Sequence, residues 1–304
     1  MEEATIFQYQ ETKIGVAICE DFWRGEDANA APTYDINPIE DLLKETCMVF
    51  TSTRAPLLGI ICSSSIFFCS PLLANATIQP DRPGIATGTY TVNPGQYILE
   101  MGVQSNFRRD GNKPNALTIP QVTLRGGISD KLEWDVISNG AVLSDADGEQ
   151  AQWSFSDVSV GGKYNIVESD SWNLSALALV SLPVGTKGTT SDNVDPLIGL
   201  LWDANINDSI SAFGNVNMSS FEADEGRIHD VQVALGLNFS HSEKLGSFVE
   251  LFASKPYGDE PSTALFDAGL TYLLEDRIQL DFSAGVALNN DSDNFVGAGI
   301  AWLF

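Results

Sequence analysis

The chain has 304 residues, of which 43% are hydrophobic and 19% charged. That apolar share argues against disorder across the whole chain, because there is enough surface to bury. Asp and Glu total 41 against 16 Lys and Arg, a formal charge of −25. Such a surface repels phosphates and excludes nucleic acid as an expected partner.

The first segment, residues 1–47, contains a β-like run from Lys13 to Trp23, KIGVAICEDFW. With Ile36-Asn37-Pro38-Ile39-Glu40-Asp41 downstream, it resembles a fragment of the nitrilase-type glutaminase domain of glutamine-dependent NAD synthetases. The resemblance implies that Cys19 matches the family's nucleophile. A nucleophilic thiol needs a base and an orienting partner. The family's Glu and Lys come from segments before the Cys, and only 18 residues precede Cys19 here. The segment is therefore expected to be inactive, a product of a mis-assigned start or a gene fusion.

Residues 48–76 read as a secretory signal. Met48 is a plausible start, Arg54 precedes the apolar run Ala55–Ala74, and Ala74-Asn75-Ala76 is a small-x-small cleavage pattern. Cleavage is expected after Ala76. A transmembrane helix is the competing reading, since the run approaches the length that spans a bilayer. The four cysteines, Cys19, Cys47, Cys62 and Cys69, all lie before this point. They form no disulfide framework and no Cys/His set with metal-ligand spacing, so no metal or cofactor is expected.

Residues 77–94 follow as a periplasmic or plug-like segment. From residue 95 to 304 the recurrent signal is alternation, the mark of strands with two unlike faces. Ile278, Leu280, Phe282, Ala284 and Val286 alternate with Gln279, Asp281, Ser283, Gly285 and Ala287. The last strand places Val296, Ala298, Ile300, Trp302 and Phe304 on one face. Turn signals predict about twelve strands, near 95–105, 115–127, 131–143, 153–167, 171–183, 194–206, 209–219, 228–240, 244–254, 263–274, 276–288 and 294–304. Counts of about ten or fourteen stay open. Short connections alternate with long ones, the latter near 106–114, 144–152, 184–193, 220–227, 255–262 and 289–293. This asymmetry and the strand lengths predict an all-β, antiparallel transmembrane barrel rather than a soluble sandwich.

In that barrel the large apolar residues face lipid, and the intervening charges face inward. Glu100, Arg125, Glu133, Asp135, Asp157, Lys163, Asp203, Asp230, Glu250, Asp267 and Asp281 are the lumen-lining candidates. They predict a pathway for a polar or cationic solute with Arg125 and Lys163 at a constriction. A solvated lumen, or a charge network that closes the pore, is the plainer alternative. The acidic loops Asp145–Glu149 and Asn289–Asp293 do not match the spacing of a calcium loop and read as solvated tips. His229 and His241 form no compact arrangement with Ser, so a barrel hydrolase is disfavoured and no catalytic residue is expected.

Two stretches carry a family resemblance: Gln79–Gly102, with Asp81-Arg82-Pro83-Gly84, and Ser181–Asp203, with the LPxGxKG segment Leu182–Gly188. With the closing VGAGIAWLF they resemble the MetA-pathway-of-phenol-degradation, or transporter-like, outer-membrane barrels. The resemblance implies passage of small solutes, aromatic ones among them, across the outer membrane of a Gram-negative bacterium. It supplies no catalytic residues. Asp81, Arg82, Pro83 and Gly84 are expected to form a charged turn that folds into the periplasmic mouth as a partial plug. The terminal Phe304 resembles the signal read by barrel-assembly machinery, and the lipid bilayer is the other expected partner. A non-conducting structural or adhesive barrel is the competing function.

Overall fold

Alternating sequence needs two environments, and a closed sheet supplies them by separating inside from outside. The computed structural model describes residues 77–107, 116–144, 152–187, 189–223, 226–258 and 260–304, and the backbone of four short strands nearer the N-terminus. The chain divides into two units, residues 1–74 and 75–304. In the first, β1 (Thr5–Tyr9), β2 (Thr12–Val16), β3 (Met48–Phe50) and β4 (Ile66–Phe68) form one sheet in that order. Cys19 and the expected cleavage site after Ala76 lie outside the described residues, as does the Asp145–Glu149 loop.

The second unit is a barrel. Its strands are β5 (Tyr97–Phe107), β6 (Ala116–Ser129), β7 (Leu132–Ser138), β8 (Ala141–Ser144), β9 (Gln152–Phe155), β10 (Val158–Val167), β11 (Trp172–Leu182), β12 (Asp195–Asn207), β13 (Ile210–Ala223), β14 (Gly226–Ser240), β15 (Leu245–Pro256), β16 (Thr263–Glu275), β17 (Ile278–Ala287) and β18 (Asn294–Leu303). Every pairing between them is antiparallel, and β5 closes the ring by pairing with both β18 and β6. Beyond the last ladder pair, Phe304 N–H donates to Tyr97 O at 2.8 Å. Closure removes the two open edges a flat sheet would have, although β9 pairs with β8 alone among the described strands.

Fourteen segments make twelve staves. β7 and β8 pair with β6 in one register across a break at Asn139-Gly140, with a bulge at Gly127–Ser129 near the turn. The break has a local cause. Pro120 on β6 offers no ladder donor there, and Gly140 opposite it adopts φ +62°. β9 and β10 likewise keep one register across Ser156-Asp157. The result is a closed antiparallel barrel of twelve strands, as the alternation predicts.

One boundary differs. The expected long connection at 220–227 is largely strand, with Ser219 paired to Asp230 and Glu222 to Arg227. Polar composition there marks departure from an apolar environment, not the end of hydrogen bonding.

The outer surface carries the exposed large apolar side chains, among them Ile198, Met218, Leu251, Leu270, Phe282 and Trp302. The apolar cluster inside is small. Ile78, Val92, Ile98, Ala301 and Leu303 gather at the short-turn end, where Ile78 N–H bonds Asp276 O at 2.8 Å. Elsewhere the buried side chains are mostly polar or charged, with Leu177, Leu201, Phe248 and Phe295 among them.

Candidate functional site

Residues 77–94 pass into the lumen from the short-turn end and return to it before β5 begins. Ile78 is tied to the β16–β17 turn, and Thr91 Oγ1 donates to Asp130 O at 3.1 Å in the β6–β7 turn. Between these ties the segment has no sheet partner. Its backbone groups must be satisfied by side chains.

Three glutamates of the wall do this. Glu100 of β5 accepts the N–H groups of Asp81 and Arg82 at 3.0 and 2.9 Å. Glu250 of β15 accepts those of Ile85 and Ala86, both at 2.9 Å, one on each oxygen. Glu133 of β7 accepts Val92 N–H at 2.6 Å. Asn215 of β13, with its amide turned to suit, accepts Thr87 N–H at 2.8 Å and donates to Thr87 O at 3.1 Å. Charge-assisted bonds of this kind are about twice as strong as neutral ones.

The segment's carbonyls meet the wall's cations. Arg125 of β6 donates to Gln79 O at 3.0 Å and Tyr90 O at 2.7 Å. Its other N–H groups go to Glu133 and Glu100. Lys163 of β10 donates to both Asp81 oxygens, at 3.1 and 3.2 Å, and to Tyr90 O at 3.1 Å. Burial alone would raise the Asp81 carboxyl, but Arg125 and Lys163 beside it, with the Gly88 N–H, hold it below its usual range. Tyr90 is pushed up by burial and by Asp203.

The opposite side of the segment is lighter. Arg82 forks onto Asp281 of β17 at 3.1 and 3.3 Å and reaches Gln121 at 3.0 Å. Thr89 donates to Asp203, and its carbonyl accepts Ser175 Oγ–H at 2.6 Å. Asp267 of β16 faces Glu250 across the ladder, is buried, and neither of its oxygens has a hydrogen-bond partner among the described residues.

The segment separates two chambers. The one toward the long loops measures about 470 Å3 and the one toward the short turns about 440 Å3, and Asp81, Arg82, Pro83, Gly84, Ala86 and Thr87 border both. Gly84 sits at the tip. A Cβ there would stand 2.9 Å from the Glu250 carboxylate that holds the next two N–H groups.

Residues 80–304 match the family described as "Putative MetA-pathway of phenol degradation". The chain belongs to this family. No curated protein matches it. Among solved structures, the COG4313 outer membrane channel from Pseudomonas putida F1 is similar with a TM-score of 0.58 at 11% identity, covering 73% of this chain and 99% of that one. The NanC porin aligns over 66% of this chain and 98% of that one at 10% identity, with a TM-score of 0.49.

In this phenol-degradation-family barrel, the structure gathers most of the sequence candidates around one segment. Glu100, Arg125, Glu133, Lys163 and Glu250 grip its backbone, Asp281 and Asp203 hold Arg82 and Thr89, and Asp135 lies beside Arg125 and Gly161 in the ladders. Two candidates fall elsewhere. Asp230 accepts from Ser254 and Gln232 near the long-loop end, and Asp157 accepts Gly185 and Ser191 N–H groups, which organises the loop after β11. Pro83 borders both chambers with the other three plug candidates.

Sequence reasoning missed Asn215, Ser175 and the backbone as the ligand of the charges. It also missed the bond between His241 Nε2 and Ser247 Oγ, 2.7 Å across the β14–β15 turn. No carboxylate among the described residues hydrogen-bonds that imidazole. The Asn289–Asp293 loop is tied by Asn289 to Ser262 O and by Ser292 to Ala264 N–H, and no group of three or more potential metal ligands occurs among the described residues.

Proposed function

We propose that this barrel is an outer-membrane channel or transporter-like pathway for a small solute, aromatic compounds included, in which residues 77–94 act as a plug. One observation carries the reading: a strand-free segment lies between two chambers of solute size, held along its middle by charged side chains, with apolar packing at its ends through Ile78 and Val92. Apolar packing would seal the lumen as a core, whereas charge-assisted bonds to a polar segment can be exchanged for bonds to water or solute. The name of the family and the channel likeness of the fold point the same way.

Export through residues 48–76, cleavage after Ala76, insertion by way of the strand ending in Phe304, and the separate status of residues 1–47 belong to the same proposal. N-terminal sequencing of protein from outer-membrane fractions tests that part. A start at Thr77 is expected, and retention of Met1 overturns it.

Deleting Gln79–Pro94 and recording single channels in planar bilayers tests the plug. Conductance is expected to rise severalfold. Unchanged conductance removes the plug role. A non-conducting structural barrel draws support from the same charge network, because the network also braces the wall. That second reading predicts no solute-dependent conductance from either protein.

A further inference from the structure

We propose that the chamber on the long-loop side of the plug is a binding subsite for a small organic cation with N–H donors and an apolar body, with Asp135 as its anion. The inference rests on the channel reading above and names the class of solute.

Asp135 is almost wholly buried, borders the 470 Å3 chamber, and its Oδ1 accepts no hydrogen bond from any described residue. Two cations stand near it, Arg125 opposite in the β6–β7 ladder and Lys163 on β10, and neither has a donor to spare. The five N–H groups of Arg125 serve Glu133 twice, Glu100, Gln79 O and Tyr90 O. The three of Lys163 serve the two Asp81 oxygens and Tyr90 O, with Glu133 also at 3.2 Å. Arg82, the remaining base of this network, gives three of its five N–H groups to Asp281 and Gln121, and none to Asp135.

Plug and wall thus commit the N–H groups of Arg125 and Lys163, and the Asp135 carboxylate borders the chamber with an oxygen that accepts no bond from a described residue. A buried anion without a donor is costly, so the site favours a cation that brings N–H groups of its own. Glu100, Asp81 and Asp293 also border the chamber, against one base, Arg82. Leu177, Leu265 and Phe295 give it an apolar wall. The volume suits a small organic molecule. A bare metal ion fits less well, because no set of three potential metal ligands is present among the described residues.

Benzylammonium is the probe, with benzyl alcohol and benzoate as its neutral and anionic counterparts. Binding to the full-length barrel refolded in detergent is measured by isothermal titration calorimetry at neutral pH. Benzylammonium should bind at least about tenfold tighter than benzyl alcohol, the worth of one charged hydrogen bond. Asp135→Asn should erase that preference and Asp135→Glu should keep it. Equal affinity for benzyl alcohol or benzoate, or a preference that survives Asp135→Asn, overturns the proposal. If Asp135→Asn fails to show the heat-shifted mobility of a folded barrel, wild-type titrations over falling pH decide. The ammonium stays charged there while the carboxylate protonates, so a preference that persists in acid overturns the site. Binding without conductance would overturn the channel reading and leave this inference standing. Conductance without the preference would do the reverse.

Discussion

The two walls of the lumen solve the same problem differently. On the wall made by β5, β6, β7 and β10, Arg125 and Lys163 lie among Glu100, Glu133 and Asp135, with ion pairs of 3.0–3.3 Å. On the wall made by β15, β16 and β17, Glu250, Asp267 and Asp281 have no base of their own among the described residues, and Arg82 of the plug supplies the positive charge there. The first wall carries most of its own compensation, two bases against three acids. The second depends on the plug's guanidinium and on two backbone N–H groups. Plug departure therefore leaves one wall nearly balanced and the other acidic, so that a vacated lumen would draw cations toward β15–β17.

Breaking the first wall should cost most. Arg125→Met leaves Glu100 and Glu133 buried without their shared partner and frees the Gln79 carbonyl, while Tyr90 O keeps Lys163. Removal of one member of a buried ion network typically costs about 3–5 kcal/mol. Urea unfolding followed by gel mobility should show that loss, and a change below about 1 kcal/mol would mean that water replaces the guanidinium. Breaking the second wall should cost less. Glu250→Gln keeps one acceptor oxygen and loses the other, leaving one of the Ile85 and Ala86 N–H groups unmet, at about 1–3 kcal/mol. Its sharper readout is conductance, expected to rise because the plug tip is released. Gly84→Ala should raise conductance in the same way, since its Cβ meets the Glu250 carboxylate. If neither variant changes conductance, the tip contact does not hold the plug.

Much of this was legible in the sequence, and the limit has a physical reason. Period-two alternation reports which side of a strand faces a different medium, so it located all twelve staves and the inward parity of Glu100, Glu250 and Asp267. It cannot report what occupies the inside, because water, solute and a peptide segment all favour polar side chains. The signal that could have pointed to a plug was the number of inward acids, Glu100, Glu133, Asp135, Asp203, Asp230, Glu250, Asp267 and Asp281, against two inward bases. Excess acid in a closed space needs donors, and residues 77–94 offer backbone N–H groups and Arg82. The end of the β13–β14 pairing was misplaced for the converse reason, since polarity past the apolar band does not interrupt a ladder.

Acid should separate the two walls next. Asp81 is held below its unfolded value, chiefly by Arg125 and Lys163 against the cost of burial. A lowered carboxyl contributes stability that is present above the unfolded pKa and lost as pH falls through the folded one. Plug retention on the first wall should therefore survive mild acid and fail below the ordinary carboxylate range. Asp81→Asn should remove that acid step from a conductance-against-pH curve and raise conductance at neutral pH. An unaltered acid step would assign it to another group.

The smallest effect should come from Asp267, and its sign is what matters. Asp267 faces Glu250 in the β15–β16 ladder with no hydrogen-bond donor on either oxygen among the described residues. Like charges directly opposite in a sheet destabilise it by roughly 0.2–1 kcal/mol. Asp267→Asn keeps the shape and removes one charge, so the barrel should become more stable by about that amount. The same change lowers the negative potential around Glu250 and weakens its hold on the Ile85 and Ala86 N–H groups slightly, so conductance should move little. A stabilised barrel with unchanged conductance would mean that the second wall keeps an acid for the open lumen rather than for the plug. A destabilised one would show that Asp267 has a partner once the plug is in place, and the contrast between the two walls would then narrow to Arg82 alone.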